Sequence, residues 1–373
     1  MYFTDDSVLP ENQDPLIITA APYGPTWMPD DYPSEIPVTW EEQTQKAVDC
    51  YNAGATILHI HVRDPKTGCI SKNFREYAEQ IARLRQAVPN MILQVGGSIS
   101  LAPETGAEAA KWPSYDTRHR LTELDPKPDQ VTVAIGSTLY DLTPLTTMAD
   151  VQGTHLAEPA VLHAYSNMVA DSTPEFYLEH LKRLRARGIQ PYFALAGIHQ
   201  LAIVERLVRQ GVYMGPVNGF FSMVGGGGGA GSNPVDWMEL VRRTPHGSVW
   251  TYQTMWRYSW PLAAFMIALG QHTRAGIEEN LWGTDYRRRL TSVEMIEKNV
   301  RIARELGRPI ATAEDARRVL KIGTWYDTIS ATLGNLGLPP NRTDGQKDVL
   351  VYDTDGRAPK AAAAAAENST LIL

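Results

Sequence analysis

The sequence predicts a (β/α)8 barrel with a C-terminal extension, on three observations. Eight short strand-like runs are apolar on both faces, and each is followed by helical sequence. Strands buried on both faces belong to parallel sheets covered by helices. The runs recur at intervals that fit a strand-plus-helix unit, and eight such units close a barrel. No Gly-x-Gly-x-x-Gly opens the first helix, which weighs against a doubly wound dinucleotide-binding sheet.

Residues 1–14 are polar and read as an irregular arm. The first strand covers 16–20, and a loop rich in Pro, Asp and Tyr follows over 22–38. Thr39 opens the first helix with Glu42 three residues on, a capping box, and Gly54 suits its end. The second strand is 56–62. Helix 73–87 leads to strand 91–95, which ends in Gly96 and Gly97. A helical stretch over 116–124 precedes strand 130–135, which ends in Gly136 and Ser137. Helices 174–187, 199–210, 234–243 and 260–269 then alternate with strands 190–195, 215–221, 248–252 and 272–277. Helices 291–306 and 313–320 finish the barrel domain, 1–323. The extension, 324–373, carries Lys360 followed by six alanines and is partly low-complexity.

The 373 residues are 43% hydrophobic and 21% charged, enough to bury a core and unlike a disordered chain. Lys and Arg number 35 against 42 Asp and Glu, so the net charge of −7 argues against nucleic acid as a partner. Two cysteines, Cys50 and Cys69, make neither a disulfide framework nor a cysteine-rich zinc site, and fit a reducing, cytoplasmic setting. The start has no signal-like apolar segment, and no run reaches the roughly 18 apolar residues of a membrane span, so no membrane partner is expected.

His59-Ile-His61 falls at the carboxyl end of the second strand. Residues i and i+2 of a strand share a face, so both imidazoles point into the barrel at the end where barrel enzymes keep their sites. The pattern suits two ligands of one metal ion, and equally two core histidines bonded to backbone. Glu278, after the last strand, comes within reach if the barrel closes, because the eighth strand then lies beside the first. Two His and one Glu leave open positions on a divalent ion, the layout of a catalytic site, and two imidazoles favour zinc. The other reading pairs Glu278 and Glu279 with solvent or with Arg287 to Arg289.

The glycine run 225–229, with Gly226 and Gly227 central, reads as an anion-binding loop or as a flexible one. The turns at Gly96-Gly97-Ser98 and Gly136-Ser137 can offer N–H groups or a hydroxyl to a substrate carboxylate, or are ordinary βα turns. Trp256, Arg257, Tyr258 and Trp260 are expected at the barrel mouth, lining an aromatic pocket or a subunit interface.

Taken together, seven segments resemble the β-keto acid cleavage enzyme family. They are Leu16-Ile-Ile-Thr-Ala-Ala21, Ala53-Gly-Ala-Thr-Ile-Leu-His-Ile-His-Val-Arg-Asp64, Gln94-Val-Gly-Gly97, Pro245-His-Gly-Ser-Val-Trp250, Trp260-Pro-Leu262, Leu269-Gly-Gln-His-Thr-Arg-Ala-Gly-Ile-Glu-Glu-Asn-Leu281 and Ala311-Thr-Ala-Glu-Asp-Ala-Arg317. They occur in order over about residues 15–323. The resemblance implies a (β/α)8 barrel, a homotetramer, one zinc per chain, and an exchange in which a β-keto acid and acetyl-CoA give acetoacetate and a new acyl-CoA. It makes His59, His61 and Glu278 the metal ligands and Arg274 the active-site arginine. Glu279 falls where the family has a catalytic Asp.

Departures from the family pattern fall in the substrate pocket. Gln94 and Val95 replace a serine and a threonine, Tyr192 and Ala194 stand where the family has acidic residues, and Thr26 falls near a first-loop glutamate. Thr132 or Ala134 falls near a strand-four threonine. Gln94, Gly96, Gly97, Thr132, Gly136, Ser137, Gly226 and Gly227 are thus the candidate substrate- and cofactor-binding positions, for a small β-keto acid other than a cationic amine. Two alternatives remain at this point: a zinc hydrolase of a β-dicarbonyl or cyclic amide without CoA, and a barrel that binds metal and ligand without turnover.

Overall fold

The computed structural model describes residues 1–101, 109–166, 168–222 and 233–342. Its strands are β1 (Ile18–Ala20), β2 (Ile57–Ile60), β3 (Ile92–Val95), β4 (Gln130–Ala134), β5 (Thr138–Tyr140), β6 (Met168–Ala170), β7 (Gln190–Leu195), β8 (Asn218–Ser222), β9 (Val249–Gln253) and β10 (His272–Ala275). Eight of them close a parallel barrel in the order β1-β10-β9-β8-β7-β4-β3-β2, while β5 and β6 pair antiparallel by themselves. The fold is the expected (β/α)8 barrel.

The helices in the first half are α1 (Trp40–Asn52), α2 (Phe74–Ala87), α3 (Tyr115–His119), α4 (Met148–Val151), α5 (Pro159–His163) and α6 (Pro174–Arg187). Those in the second half are α7 (Ile198–Arg209), α8 (Pro234–Arg243), α9 (Ser259–Ala268), α10 (Ser292–Glu305), α11 (Ala313–Val319) and α12 (Ile329–Asn335). Thr39 Oγ1 accepts from the Glu42 N–H, and Glu42 Oε2 accepts from the Thr39 N–H at 2.9 Å, so the expected capping box forms. Among the described residues, no helix is long and apolar enough to cross a membrane.

Outward strand residues such as Leu58, Leu93, Val131, Phe193 and Trp250 join the main core between barrel and helices. Inside, Ile17, Ile57, Ile92 and Tyr192 form a smaller core with Ala316 and Leu320 of the α11 segment. Above this floor the sequence reading needs correcting. The inner face is not apolar throughout, because Gln94, Gln130, Gln190 and Asn218 are all buried there. Buried amides are tolerated when they bond one another, and these do.

Two features were not legible as elements. The antiparallel β5–β6 pair and the short helices α4 and α5 between its strands lie inside what reads as one long connection between β4 and α6. This insertion is tied across the mouth: the Asp31 carboxylate meets His155, and Trp282 Nε1 donates to the Asp150 carbonyl at 2.7 Å. Residues 324–342 do not hang free, since Leu333 and Leu336 of the α12 segment sit in the main core.

Candidate active site

Strand register assembles the centre of the site. β1 pairs with β10 at Thr19↔Arg274 and with β2 at Thr19↔Ile57, so barrel closure puts the end of β10 one strand away from the histidines. His59 lies in β2 and His61 just past its end. Their Nε2 atoms face each other at 3.2 Å, and Glu278 Oε1 lies 3.8 Å from the first and 3.7 Å from the second. Arg274 Nη2 holds that same oxygen at 2.5 Å, and its Nε meets Glu279 Oε1. Glu278 and Glu279 therefore pair with Arg274, not with Arg287 to Arg289.

Which nitrogen of each imidazole carries the proton follows from acceptors that have no choice. The carbonyls of Leu320 and Lys321 can only accept, so the Gln190 Nε2 that meets them at 3.2 Å donates. Gln190 Oε1 then accepts from Gln130 at 2.7 Å, Gln130 Oε1 accepts from Gln94 at 3.0 Å, and Gln94 Oε1 accepts from His59 Nδ1 at 2.9 Å. His61 Nδ1 donates to the Ile99 carbonyl at 2.7 Å. Ile99 holds that carbonyl in place with a φ of 53°, an uncommon backbone for a β-branched residue.

Burial keeps both rings neutral: it lowers His61 to about 4 and His59 well below the usual imidazole range. Two Nε2 lone pairs thus converge with no proton between them, an arrangement that repels unless a cation joins it. Glu278 Oε2 is also buried without a hydrogen-bond partner among the described residues. His59, His61 and Glu278 offer ligand atoms within 4.8 Å of one another, and this donor set fits a divalent ion such as zinc. Burial pushes the Glu279 carboxyl up, to about 7, against the pull of Arg274.

The other expected positions divide. Gly96 lies against the histidine pair, where a Cβ would come 2.8 Å from His61 Nε2, and a Cβ on Gly97 would run into the Thr132 carbonyl. Both positions of this turn therefore need glycine for close approach. Thr132 Oγ1 accepts from the Gly97 N–H at 2.5 Å, and Gly97, Thr132 and Gly136 line the cavity above the histidines.

Gln94 does not line the cavity: it lies in register with His59 and spends both ends of its amide on His59 and Gln130. Ser137 faces out, bonded to Asp171 and Ser172. Trp256 packs edge-on against Trp27 and Trp260 bonds the Trp282 carbonyl, so neither lines the cavity, whereas Met255 does. Gly226 and Gly227, with the rest of the run 225–229, lie outside the described residues.

The first loop closes against the site. Arg63 is fully buried and donates to the carbonyls of Gly24 and Trp27, which brings Pro25 and Thr26 to the cavity wall. Ala194 lines the cavity, but Tyr192 lies lower, its hydroxyl bonded to Thr251 at 2.7 Å. Sequence reading missed Trp112, Arg118, Phe176 and His180 on one wall and Tyr140 of β5 on another. The sequence signal was that Arg118, Phe176 and His180 lie in stretches already read as helical.

A barrel that gathers buried ionisable side chains at its carboxyl-end mouth belongs to the (β/α)8 enzymes. Residues 15–322 match the beta-keto acid cleavage enzyme family, and the chain belongs to that family. Its reaction class is the cleavage of β-keto acids. The chain is 26% identical over 309 residues to 3-keto-5-aminohexanoate cleavage enzyme of Acetoanaerobium sticklandii, covering 82% of this chain and 98% of that protein. It is 28% identical over 323 residues to 3,5-dioxohexanoate:acetyl-CoA acetone transferase of Paraburkholderia graminis, covering 82% and 96%. Among solved structures it resembles the apo structure of ObcA, with a TM-score of 0.55 at 16% identity over 77% of this chain. The chain spans 66% of ObcA's length, and the likeness concerns the fold.

Proposed function

We propose that this protein cleaves a β-keto acid with acetyl-CoA as co-substrate, releasing acetoacetate and a new acyl-CoA, at a zinc site formed by His59, His61 and Glu278. The observation that carries the metal is the pair of Nε2 lone pairs meeting at 3.2 Å beside a carboxylate. The relatives' names, which include an acetyl-CoA-dependent transferase, support the co-substrate.

When bound, the ion supplies Lewis-acid polarisation of the substrate's ketone oxygen. Glu279 takes the C2 proton of the β-keto acid. A carboxyl poised at about 7 can accept a proton and return it near neutral pH. The C2 carbanion attacks the thioester carbonyl of acetyl-CoA and expels the thiolate. The thiolate adds to the original ketone carbon, the bond from that carbon to C2 breaks, and the acetoacetate carbanion recovers the proton from Glu279. Arg274, gripping both glutamates, fixes their geometry and places positive charge against the oxyanions that form. The first loop and the β5–β6 insertion wall the cavity in which the carbanion would form.

The test is elemental analysis of the purified protein and its His61→Ala variant, followed by acetoacetate assays on a β-keto acid panel with and without acetyl-CoA. About one zinc per chain, lost in the variant, with acetoacetate formed only with acetyl-CoA, is expected. A protein that cannot be loaded with metal, or cleavage without acetyl-CoA, overturns the proposal.

A further inference from the structure

Among the described residues, Arg118 is a buried cation with no carboxylate in ion-pair contact. It is 2% exposed and lines the cavity that holds His59, Arg274, Glu278 and Glu279. Its guanidinium lies over Phe176, 3.6 Å from the ring centroid, with Tyr115 at 5.2 Å. Nε donates to the Pro113 carbonyl at 3.1 Å and Nη2 to the Asp171 carbonyl at 2.6 Å, while Nη1 donates to nothing among the described residues. No carboxylate there comes within ion-pair distance. The Asp171 carboxylate, whose charge reaches Arg118 without touching it, is exposed and accepts from Ser137 instead.

The rest of the described cavity lining gives this cation no counter-charge. Glu278 and Glu279 are the only carboxylates among its described lining residues, and Arg274 occupies both. A buried, unpaired charge is costly, and a rigid guanidinium with an open nitrogen is the usual seat of a carboxylate or phosphate. The aromatic wall formed by Phe176 restricts its rotation, which lowers the entropy lost on binding.

From this we infer that Arg118 reads a second anionic group on the ligand, so that the preferred substrate is a β-keto dicarboxylate whose far carboxylate pairs with Arg118. This rests on the reading of the site as a β-keto acid cleavage centre and adds its substrate class. A cationic amine at the same end would face Arg118 with no acid to hold it.

The experiment compares 3-oxoadipate with 3-oxohexanoate, the same chain length without the second carboxylate, in the zinc-loaded wild type, Arg118→Lys and Arg118→Met. Wild type is expected to favour the dicarboxylate by about 100-fold in kcat/KM, the scale of a buried charge pair. Arg118→Met should collapse that ratio, and Arg118→Lys should keep part of it. A wild type without the preference overturns the inference, and so does an Arg118→Met variant that keeps it. A third arm replaces acetyl-CoA by S-acetylpantetheine, which lacks the phosphates. If the effect of Arg118→Met vanishes with that thioester, the anion is a CoA phosphate and the dicarboxylate inference fails.

Should neither acid be cleaved, the functional reading fails separately, and quenching of tryptophan fluorescence by adipate against hexanoate decides this one. Trp112 lines the same cavity and serves as the probe. Adipate binding that Arg118→Met abolishes sustains the inference, and equal response to both acids overturns it.

Discussion

Gln94 Oε1 accepts the Nδ1 proton of His59 at 2.9 Å, and this bond determines what the other nitrogen of that imidazole can do. The amide cannot flip, because Gln130 and Gln190 orient it from the carbonyl of Leu320 upward. Replacing Gln94 by leucine frees the Nδ1 proton to migrate and the ring to turn. Outer hydrogen bonds of this kind typically contribute 10- to 100-fold in metal affinity. Gln94→Leu is expected to bind zinc weaker by about that factor, measured by competition with a chromogenic chelator, while the barrel's circular dichroism stays unchanged.

Gly96 makes a sharper steric case. A methyl group there would lie 2.8 Å from His61 Nε2 and 3.1 Å from His59 Nε2. Gly96→Ala is expected to push both rings off the shared centre and to lose bound zinc. Overpacking of this kind costs about 1 to 3 kcal/mol, so the fold survives. Zinc content together with a thermal melt checks both halves of the expectation.

Glu279 holds no metal in the proposed arrangement, so its removal should separate chemistry from binding. Glu279→Gln keeps the size and a hydrogen bond to Arg274 but cannot take a proton. A lost general base typically costs about 10²- to 10⁴-fold in rate. The expected result is a kcat lower by that range with zinc content unchanged, read by steady-state kinetics and elemental analysis.

A pH dependence arises away from the active site, at His272. Its Nδ1 accepts from the Ile17 N–H at 3.1 Å, so the ring must be neutral there, and burial with Arg308 nearby holds its pKa well below the usual value. In the unfolded chain the same ring protonates below about pH 6.5. The unfolded state then binds more protons, so stability is complete above that pH and declines as pH falls. His272→Asn keeps an acceptor and removes the titration. Urea unfolding at pH 7 and pH 5 should show an acid loss smaller by about 2 kcal/mol in the variant.

Much of this site was legible from the chain. The i, i+2 spacing put His59 and His61 on one face of β2, and the alternation of elements put that face at the mouth of a barrel. Glu278 became reachable once eight units implied closure. The capping box of α1 was equally plain, because Thr39 and Glu42 are three residues apart. All of these rest on local spacing or on the count of units.

What stayed illegible depends on partners far apart in sequence. Gln94, Gln130 and Gln190 are separated by 36 and 60 residues, and only the register of β3, β4 and β7 stacks them into a ladder. Gln94 was therefore assigned to the substrate when it serves His59. The β5–β6 pair has three residues per strand, too few for a period to emerge. Arg118 looks like any basic helical residue until Phe176 and the cavity surround it. The sequence by itself determined the barrel and the residue types at its strand ends, because periodicity is a property of neighbours. Which side chains are buried, paired or left without a partner was decided by tertiary structure, because burial and charge compensation belong to the space between strands.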